Sequence, residues 1–332
     1  MEFGYREVCL DHETGSRHPE HPDRLRAIRR GLARQYGVEY AAPADADLAA
    51  VEAVHDPEYL ADVREFCAAG GGSWDADTVA CEATWDAALA SVGCAVWAAE
   101  RALSGASGRD TPFSLGRPPG HHAEYDTAMG FCFVNNVAVA AQSALETVER
   151  VAVFDWDVHH GNGTQMLFED RGDVLYGSIH QEGLFPGTGA LEETGSGDGE
   201  GATVNLPLPA GGGDAAYRAA FDDLFAPAIE RFDPGLVLVS AGFDPHERDP
   251  IARMRLSTEG FGLLTARLES LTESVDAGLG FVLEGGYGLE SLADGVTMVN
   301  ETFEGRTPVE PDGEPDDAVR ERIDRARSLH GL

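Results

Sequence analysis

The sequence has 332 residues, of which 43% are hydrophobic and 8% are aromatic. A chain of this size and composition can bury a full core, which excludes a disordered protein, a fibre and a small disulfide-stabilised fold. The 58 acidic and 24 basic residues give a formal net charge of −34. This charge argues against binding nucleic acid or an anionic membrane through a general basic surface.

All 24 basic residues are arginine and none is lysine, and this bias, with the excess of Asp and Glu, predicts a halophilic protein. The five cysteines form no C-x-x-C pair, so neither a disulfide framework nor a thiolate zinc site is indicated. The N-terminal segment has no basic leader before an apolar run, and no stretch of about 18 apolar residues occurs. We therefore expect a cytoplasmic protein that does not contact the membrane.

The first third of the chain is predicted to be mainly helical. Apolar residues recur with helical spacing over residues 22–36 and 57–68. The Ala-rich segment Thr84–Leu103 predicts one long buried helix that ends before Gly105.

The pattern then changes to short apolar runs that alternate with helical segments. The predicted strands are Val151–Trp156, Val174–Ile179, Leu236–Ser240 and Phe281–Leu283. The predicted helices are Thr164–Phe168, Ala215–Arg231, Thr258–Ala277 and Leu289–Phe303. This alternation, with strands that are apolar on both faces, is typical of a doubly wound parallel α/β domain.

Two further segments complete the organisation. Residues 192–213 are rich in Gly and acidic residues and predict a long surface loop around a short strand, Thr203–Leu206. The Pro-rich acidic segment 307–317 predicts a linker to a last helix, whose apolar face is formed by Val319, Ile323, Ala326 and Leu329. We expect a single main domain over residues 1–306, with the linker and helix of residues 307–332 packed on it.

Polar residues collect at the ends of four predicted strands. These residues are Asp155, Asp157, His159 and His160 after the first strand, His180 after the second, Asp244 after the third, and Glu284 to Tyr287 after the fourth. The carboxyl ends of parallel strands face one crevice, so we expect these loops to converge there.

Asp157 and His159 form the sharpest local signal in the sequence. Residues two apart at the end of an extended segment point the same way and can share one ion, with Asp244 as the best candidate for a third ligand. Two carboxylates and one imidazole leave coordination positions open, as a catalytic zinc site requires, although Fe(II) or Co(II) also suits this set. The alternative is that Asp157 and His159 only cap the helix that follows. The adjoining segment 160–163 favours the metal site.

The segment RPPGHHA holds His121 and His122 on a loop stiffened by prolines. Adjacent imidazoles on a rigid turn suit general acid–base catalysis near neutral pH, although spacing alone also allows either to bind the metal. Tyr287 lies on a glycine-rich turn, where its hydroxyl could donate to an oxyanion or simply pack. Phe131 and Phe185, considered alone, are more typical of core residues.

Taken together and in order, these segments resemble the zinc-dependent histone deacetylase family, with its acetoin-utilization and acetylpolyamine amidohydrolase relatives. The resemblance runs from Asp11 to about Asn300, through His18–Arg24, RPPGHHA, GFCFVNN, DWDVHHGNGTQ, SIHQEGLFPGTG, SAGFDxxxxDP and LEGGYGLE. It implies an arginase-like single α/β domain, with a largely parallel eight-stranded sheet and helices on both faces.

The resemblance also implies a role for each matching residue. The implied zinc ligands are Asp157, His159 and Asp244. The implied catalytic residues are His121, His122 and Tyr287, with Asp155 orienting His121 and Asn162 orienting His122. The implied substrate tunnel is formed by Phe131, Phe185 and Gly130, the acetate channel by Arg24, and a potassium site by Asp155, Asp157, His159 and Ser178. An amide at position 162 is class II-like and does not stabilise an imidazolium as a carboxylate would.

The implied reaction is zinc-dependent hydrolysis of an acetamide, in which His122 transfers the proton and Tyr287 stabilises the oxyanion. We expect the substrate to be an Nε-acetyl-lysine side chain of a protein, with an acetylated polyamine as the alternative. An acidic gate at the mouth of the tunnel would favour polyamines, but Glu247 and Asp249, which follow Asp244, are not assigned to such a gate by the sequence. Gly288 stands where many protein deacetylases have Asn, which leaves the polyamine alternative open. The sequence does not indicate the oligomeric state.

Two other classes of function are disfavoured. A ureohydrolase shares the implied fold but needs further Asp and His ligands for two manganese ions, which the DWDVHHGNG segment does not supply. A non-catalytic acetyl-lysine binder is disfavoured because His121, His122 and Tyr287 are all present.

Overall fold

The computed structural model of the protein describes residues 1–332 and is built around one eight-stranded sheet. The strands are β1 (Glu2–Gly4), β2 (Glu39–Ala41), β3 (Gly71–Ser73), β4 (Val79–Cys81), β5 (Pro112–Ser114), β6 (Val151–Asp155), β7 (Val174–Gln181), β8 (Thr203–Leu208), β9 (Leu236–Ala241) and β10 (Gly278–Leu283). β3 and β4 form a separate antiparallel hairpin. The other eight strands are ordered β2-β1-β5-β10-β9-β6-β7-β8, and every neighbouring pair is parallel.

Helices cover both faces of the sheet. They are α1 (Asp23–Leu32), α2 (Leu48–Glu52), α3 (Pro57–Ala68), α4 (Thr84–Leu103), α5 (Asn136–Ala144), α6 (Asn162–Phe168), α7 (Asp214–Ala220), α8 (Ala226–Phe232), α9 (Thr258–Ser274), α10 (Leu289–Phe303) and α11 (Asp317–His330). A π-helical turn, Phe221–Phe225, joins α7 to α8 without a break. None of the helices combines the length and the hydropathy that a membrane span requires.

The central strands are buried on both faces because their residues alternate between two cores. In β6, Ala152 and Phe154 belong to the core shared with α1, α9, α10 and α11, whereas Val151 and Val153 belong to the core shared with α3, α4 and α5. This two-sided burial explains why the strand sequences are continuously apolar. The predicted parallel α/β architecture is confirmed.

The first third of the chain is mainly helical, as predicted. This region also supplies β1, β2 and β5 to the main sheet. Each of these strands has only three residues, which is too short to show an alternating pattern in the sequence.

The structure extends one prediction and corrects another in the second half of the chain. The strand predicted at Thr203–Leu206 is the start of β8, an edge strand of the main sheet paired with β7. Helix α11 packs against β8 through Val319, Ile323 and Ala326. Leu329 was wrongly placed on the apolar face, since it is 37% exposed, and His330 continues the buried stripe four residues after Ala326.

Candidate active site

The candidate site lies where four adjacent strands end at the carboxyl edge of the sheet. β10, β9, β6 and β7 are neighbours in that order, so the loops after them meet as the sequence predicted. Asp155 is the last residue of β6, Asp244 follows β9 and Glu284 follows β10. His180 lies within β7 rather than after it, because β7 continues to Gln181.

Asp157, His159 and Asp244 form a buried cluster that could hold a metal ion. Each offers one ligand atom, and these atoms all lie within 4.8 Å of one another. His159 Nδ1 is 3.1 Å from Asp157 Oδ1 and 3.3 Å from Asp244 Oδ2. The outer oxygens are held by backbone donors, since Gly285 N–H donates to Asp157 Oδ2 at 2.8 Å and Val158 N–H donates to Asp244 Oδ1 at 2.9 Å.

The chemistry of this cluster fits a divalent cation. Asp244 Oδ2 is buried and accepts no hydrogen bond of good geometry. Burial and the neighbouring Asp157 carboxylate raise the pKa of Asp244 to about 7, which shows that negative charge is concentrated here. A Cβ atom at Gly242 would lie 2.0 Å from Asp157 Oδ2, so only glycine allows the backbone this close. Two carboxylates and one imidazole are a ligand set that suits a catalytic zinc ion.

The two adjacent histidines lie beside this cluster, and each has its own partner. His121 Nδ1 is 3.0 Å from Asp155 Oδ2, His122 Nδ1 is 2.8 Å from Asn162 Oδ1, and the two ring centroids are 4.0 Å apart. Burial opposes the charged form of both rings. At His121 the carboxylates of Asp157 and Asp155 outweigh burial and raise the pKa to about 10. At His122 burial, reinforced by His121 and His159, holds the pKa well below its usual range, so His122 is neutral and can accept a proton.

Two buried carboxylates hold the histidine loop, through contacts that the sequence analysis did not assign to either of them. Glu284 Oε2 accepts hydrogen bonds from the backbone N–H groups of Gly120 at 2.7 Å and His121 at 3.2 Å. Glu20 accepts two hydrogen bonds from Arg117, at 2.5 and 2.7 Å. Their roles depend on contacts between distant segments, and sequence spacing shows none of these.

Tyr287 is partly buried and lies against Arg24. The Arg24 guanidinium lies 5.1 Å from the centre of the Tyr287 ring, and it donates to the carbonyl oxygens of Gly286, at 2.7 Å, and Glu284. Burial raises the pKa of Tyr287 well above its usual range, so the phenol keeps its proton. Asp249 Oδ2 accepts the Tyr287 N–H at 2.7 Å, so this carboxylate fixes the glycine-rich turn. Asp249 is thus a buried structural residue and not part of an acidic gate.

Gly130 and Phe185 lie next to His122, and Phe131 lies next to Tyr287. The Phe185 ring centroid is 5.1 Å from that of His122, and the Phe131 ring centroid is 5.8 Å from that of Tyr287. Gly130 and Phe131 both have positive φ, at 56° and 70°, and such a conformation in a bulky residue is often kept for function. A Cβ atom at Gly130 would lie 2.4 Å from His122 Cδ2 and 2.9 Å from Phe185 Cε1. No side chain at position 130 would fit between His122 and Phe185, so the space beside these two rings, here called the passage, is narrow.

Ser178 lies directly beside Asp155. The two residues are paired in the parallel register of β6 and β7, and Ser178 Oγ is 2.9 Å from His180 Nδ1. The structure therefore brings Ser178 close to the carboxylate that contacts His121.

The strand order defines an arginase-like α/β fold, and the three-ligand cluster at the carboxyl edge of the sheet is a site that could hold a metal ion. Comparison with known families then identifies the group. The Histone deacetylase domain model matches residues 18–303, so the chain belongs to the histone deacetylase family and is a hydrolase that acts on amides. The family is generally metal dependent, in agreement with the Asp157, His159 and Asp244 cluster.

Individual relatives support this assignment. The chain is 42% identical over 269 residues to Histone deacetylase 10, chloroplastic, of Oryza sativa subsp. japonica, covering 77% of this chain and 61% of the rice protein. It is 40% identical over 312 residues to the Histone deacetylase-like amidohydrolase of Pseudomonas aeruginosa, covering 86% of this chain and 81% of that protein. The crystal structure of the HDA15 HD domain superposes with a TM-score of 0.91 at 34% identity, covering 99% of this chain and 93% of that one.

Proposed function

We propose that the protein is a zinc-dependent deacetylase that hydrolyses the amide of Nε-acetyl-lysine side chains in proteins and releases acetate. The observation that carries this proposal is the position of His122 beside the three-ligand cluster, with its ring centroid 5.8 Å from that of His159. Asp157, His159 and Asp244 would hold the ion. Zinc bound there would supply a Lewis acid that polarises the amide carbonyl and activates water.

The side chains around the cluster have complementary tasks in this proposal. His122 Nε2 accepts a proton from the attacking water and then delivers it to the amine that leaves. The Tyr287 hydroxyl donates a hydrogen bond to the developing oxyanion. The Asp155 carboxylate beside His121 Nδ1 favours the protonated ring, which would place a positive charge near the reacting amide. Arg24 supports the Tyr287 turn and lines the route assigned to acetate.

The shape of the passage supports a slim acyl chain. Phe185 stands against His122 on one side and Phe131 against Tyr287 on the other, while Gly130 leaves no side chain between them. An acetylated lysine side chain has the unbranched methylene chain that such a passage accepts. The family names of the rice and Pseudomonas relatives favour the same chemistry.

The substrate is tested by measuring acetate release from acetyl-lysine peptides and from acetylated polyamines in high KCl. We expect activity on the peptides, loss of that activity with a chelator, and recovery when zinc is added back. Fe(II) and Co(II) added in parallel identify which metal supports the reaction. Faster turnover of the polyamines at equal concentration would assign the chain to the other substrate class.

Several sequence-based predictions stay as predictions. These are the potassium ion near Asp155, Asp157, His159 and Ser178, the cytoplasmic location, and the absence of nucleic-acid contacts. The division into a catalytic domain over residues 1–306 and an appended segment over residues 307–332 has the same standing.

A further inference from the structure

The amide of Asn162 is held between His122 and a carboxylate, Glu124, that no motif singled out. Asn162 Oδ1 is 2.8 Å from His122 Nδ1, and Asn162 Nδ2 donates to Glu124 Oε1 at 2.7 Å. The three side chains therefore form a continuous row of hydrogen bonds that ends at a half-buried carboxylate.

The direction of these hydrogen bonds follows from the chemistry of the end group. A carboxylate oxygen only accepts, so the atom of Asn162 that faces Glu124 must be the donor Nδ2. The carbonyl oxygen of Asn162 then faces His122, and it can only accept. His122 Nδ1 must therefore carry a proton, and in the neutral ring Nε2 is left free as the proton acceptor.

The amide of Asn162 cannot impose this direction alone. Its two ends have nearly the same shape, and a half-turn would present Nδ2 to His122 and select the opposite tautomer, with the proton on Nε2. Met129 Sδ, 3.3 Å from Asn162 Nδ2, is only a weak acceptor. Glu124 is the group that makes one orientation much more favourable than the other.

The backbone at Glu124 and Tyr125 is held by hydrogen bonds that do not involve Asn162. His55 Nδ1 lies 2.8 Å from the Glu124 carbonyl oxygen, and Asp56 N–H donates to the Tyr125 carbonyl at 2.9 Å. Asn135 N–H donates to His55 Nε2 at 2.9 Å, so His55 must carry its proton on Nδ1 and donate it to Glu124. These hydrogen bonds fix the loop, and the loop places the Glu124 carboxylate against Asn162.

We propose that Glu124 is a positioning residue that sets the tautomer of His122 through Asn162 and places a negative charge behind it. This inference rests on the proposed role of His122 as the proton acceptor. It also changes the expectation drawn from an amide at position 162. The carboxylate charge that Asn162 lacks is supplied by Glu124, on the side of Asn162 away from His122.

The test exchanges the two groups. Glu124→Gln leaves two amides in the row, and Asn162→Asp leaves two carboxylates at a hydrogen-bond distance. The double variant Glu124→Gln/Asn162→Asp restores one amide and one carboxylate with the net charge of the wild type. We expect each single variant to lower kcat by about 10-fold or more with little change in KM, as loss of an outer-shell partner does. We expect the double variant to recover most of the loss.

The tautomer is read directly from the ¹⁵N chemical shifts of His122 in selectively labelled, zinc-loaded protein, with His122→Ala used for assignment. We expect protonated Nδ1 in the wild type and in the double variant, and a mixed population in Glu124→Gln. Asp126→Asn is the matched control, since it removes a carboxylate from the same loop that contacts Thr127 and not Asn162. A wild-type His122 spectrum in Glu124→Gln, with kcat within about 2-fold of wild type, would overturn the proposal.

The spectra separate this proposal from the proposed function. If the wild type shows the Nδ1 proton and Glu124→Gln loses it while no acetylated substrate is hydrolysed, the positioning role stands and the deacetylase assignment fails. If peptides are hydrolysed but the His122 tautomer does not depend on Glu124, the positioning role alone is wrong.

Discussion

Replacing Glu20 by glutamine should destabilise the protein far more than removing a surface carboxylate. Glu20 accepts hydrogen bonds from Arg117 and Arg24, and all three side chains have 0% exposure. Burial alone would raise the pKa of Glu20, but Arg117, His12 and Arg24 outweigh it and hold the pKa well below its usual range. Glu20→Gln therefore leaves two buried guanidinium groups without a counter-charge, which costs about 3–5 kcal/mol.

The expected shift in melting temperature follows from chain length. Unfolding entropy is about 2.1 cal/mol/K per residue, or about 0.7 kcal/mol/K for this chain, so Tm should fall by about 4–7 °C. Asp23→Asn is the charge-matched control, because the Asp23–Arg26 pair is about half exposed and should contribute less than about 1 kcal/mol. Calorimetry in low and high KCl measures both variants. The reasoning is refuted if Glu20→Gln has the same Tm as Asp23→Asn. It is also refuted if the difference in Tm between the two variants disappears in high salt, because salt screens buried pairs poorly.

Four other outcomes are expected. Tyr287→Phe should keep its metal and lower kcat about 100-fold or more by loss of an oxyanion donor, and an unchanged rate would leave Tyr287 a packing role. Gly130→Ala should lower kcat/KM on acetyl-lysine peptides by about 100-fold because its Cβ displaces His122, and kinetics equal to wild type would contradict the narrow passage. Burial lowers the pKa of His55 to about 4, so only the unfolded state takes up this proton as pH falls from about 6.5 to 4. Stability should fall by up to about 3 kcal/mol over that range, and denaturant unfolding of wild type and His55→Gln should show the steeper loss in wild type. The net charge of −34 predicts a Tm that rises between about 0.1 and 2 M KCl, and a flat or falling Tm would end the halophilic interpretation.

Long periodic segments and motifs at strand ends were predictable from the sequence. Helices α4 and α10 begin and end where the apolar pattern places them. Asp157 and His159 could be paired because both lie on one short segment after a strand, and Asp244 could be added because parallel strands end at one edge.

Contacts between distant segments were not predictable. Glu20 meets Arg117 across 97 residues of chain, and Glu284 meets Gly120 across 164. Glu124 is close to His122 in sequence, but its contact with Asn162 depends on how the loop after the histidines folds back over α6. A buried carboxylate and a solvated one look the same in the sequence. Among the 58 acidic residues, Glu20 and Glu124 therefore could not be distinguished from surface carboxylates.

The most direct test of the central claim is to measure metal content and acetate release on the same samples of wild type and Asp244→Ala. Asp244 is one of only three side chains in the cluster, so its loss should remove the ion and the activity together. We predict one zinc ion per chain and hydrolysis of an acetyl-lysine peptide by the wild type, and neither in the variant. Full zinc occupancy in Asp244→Ala, or deacetylation by that variant at the wild-type rate, would contradict the assignment of the site.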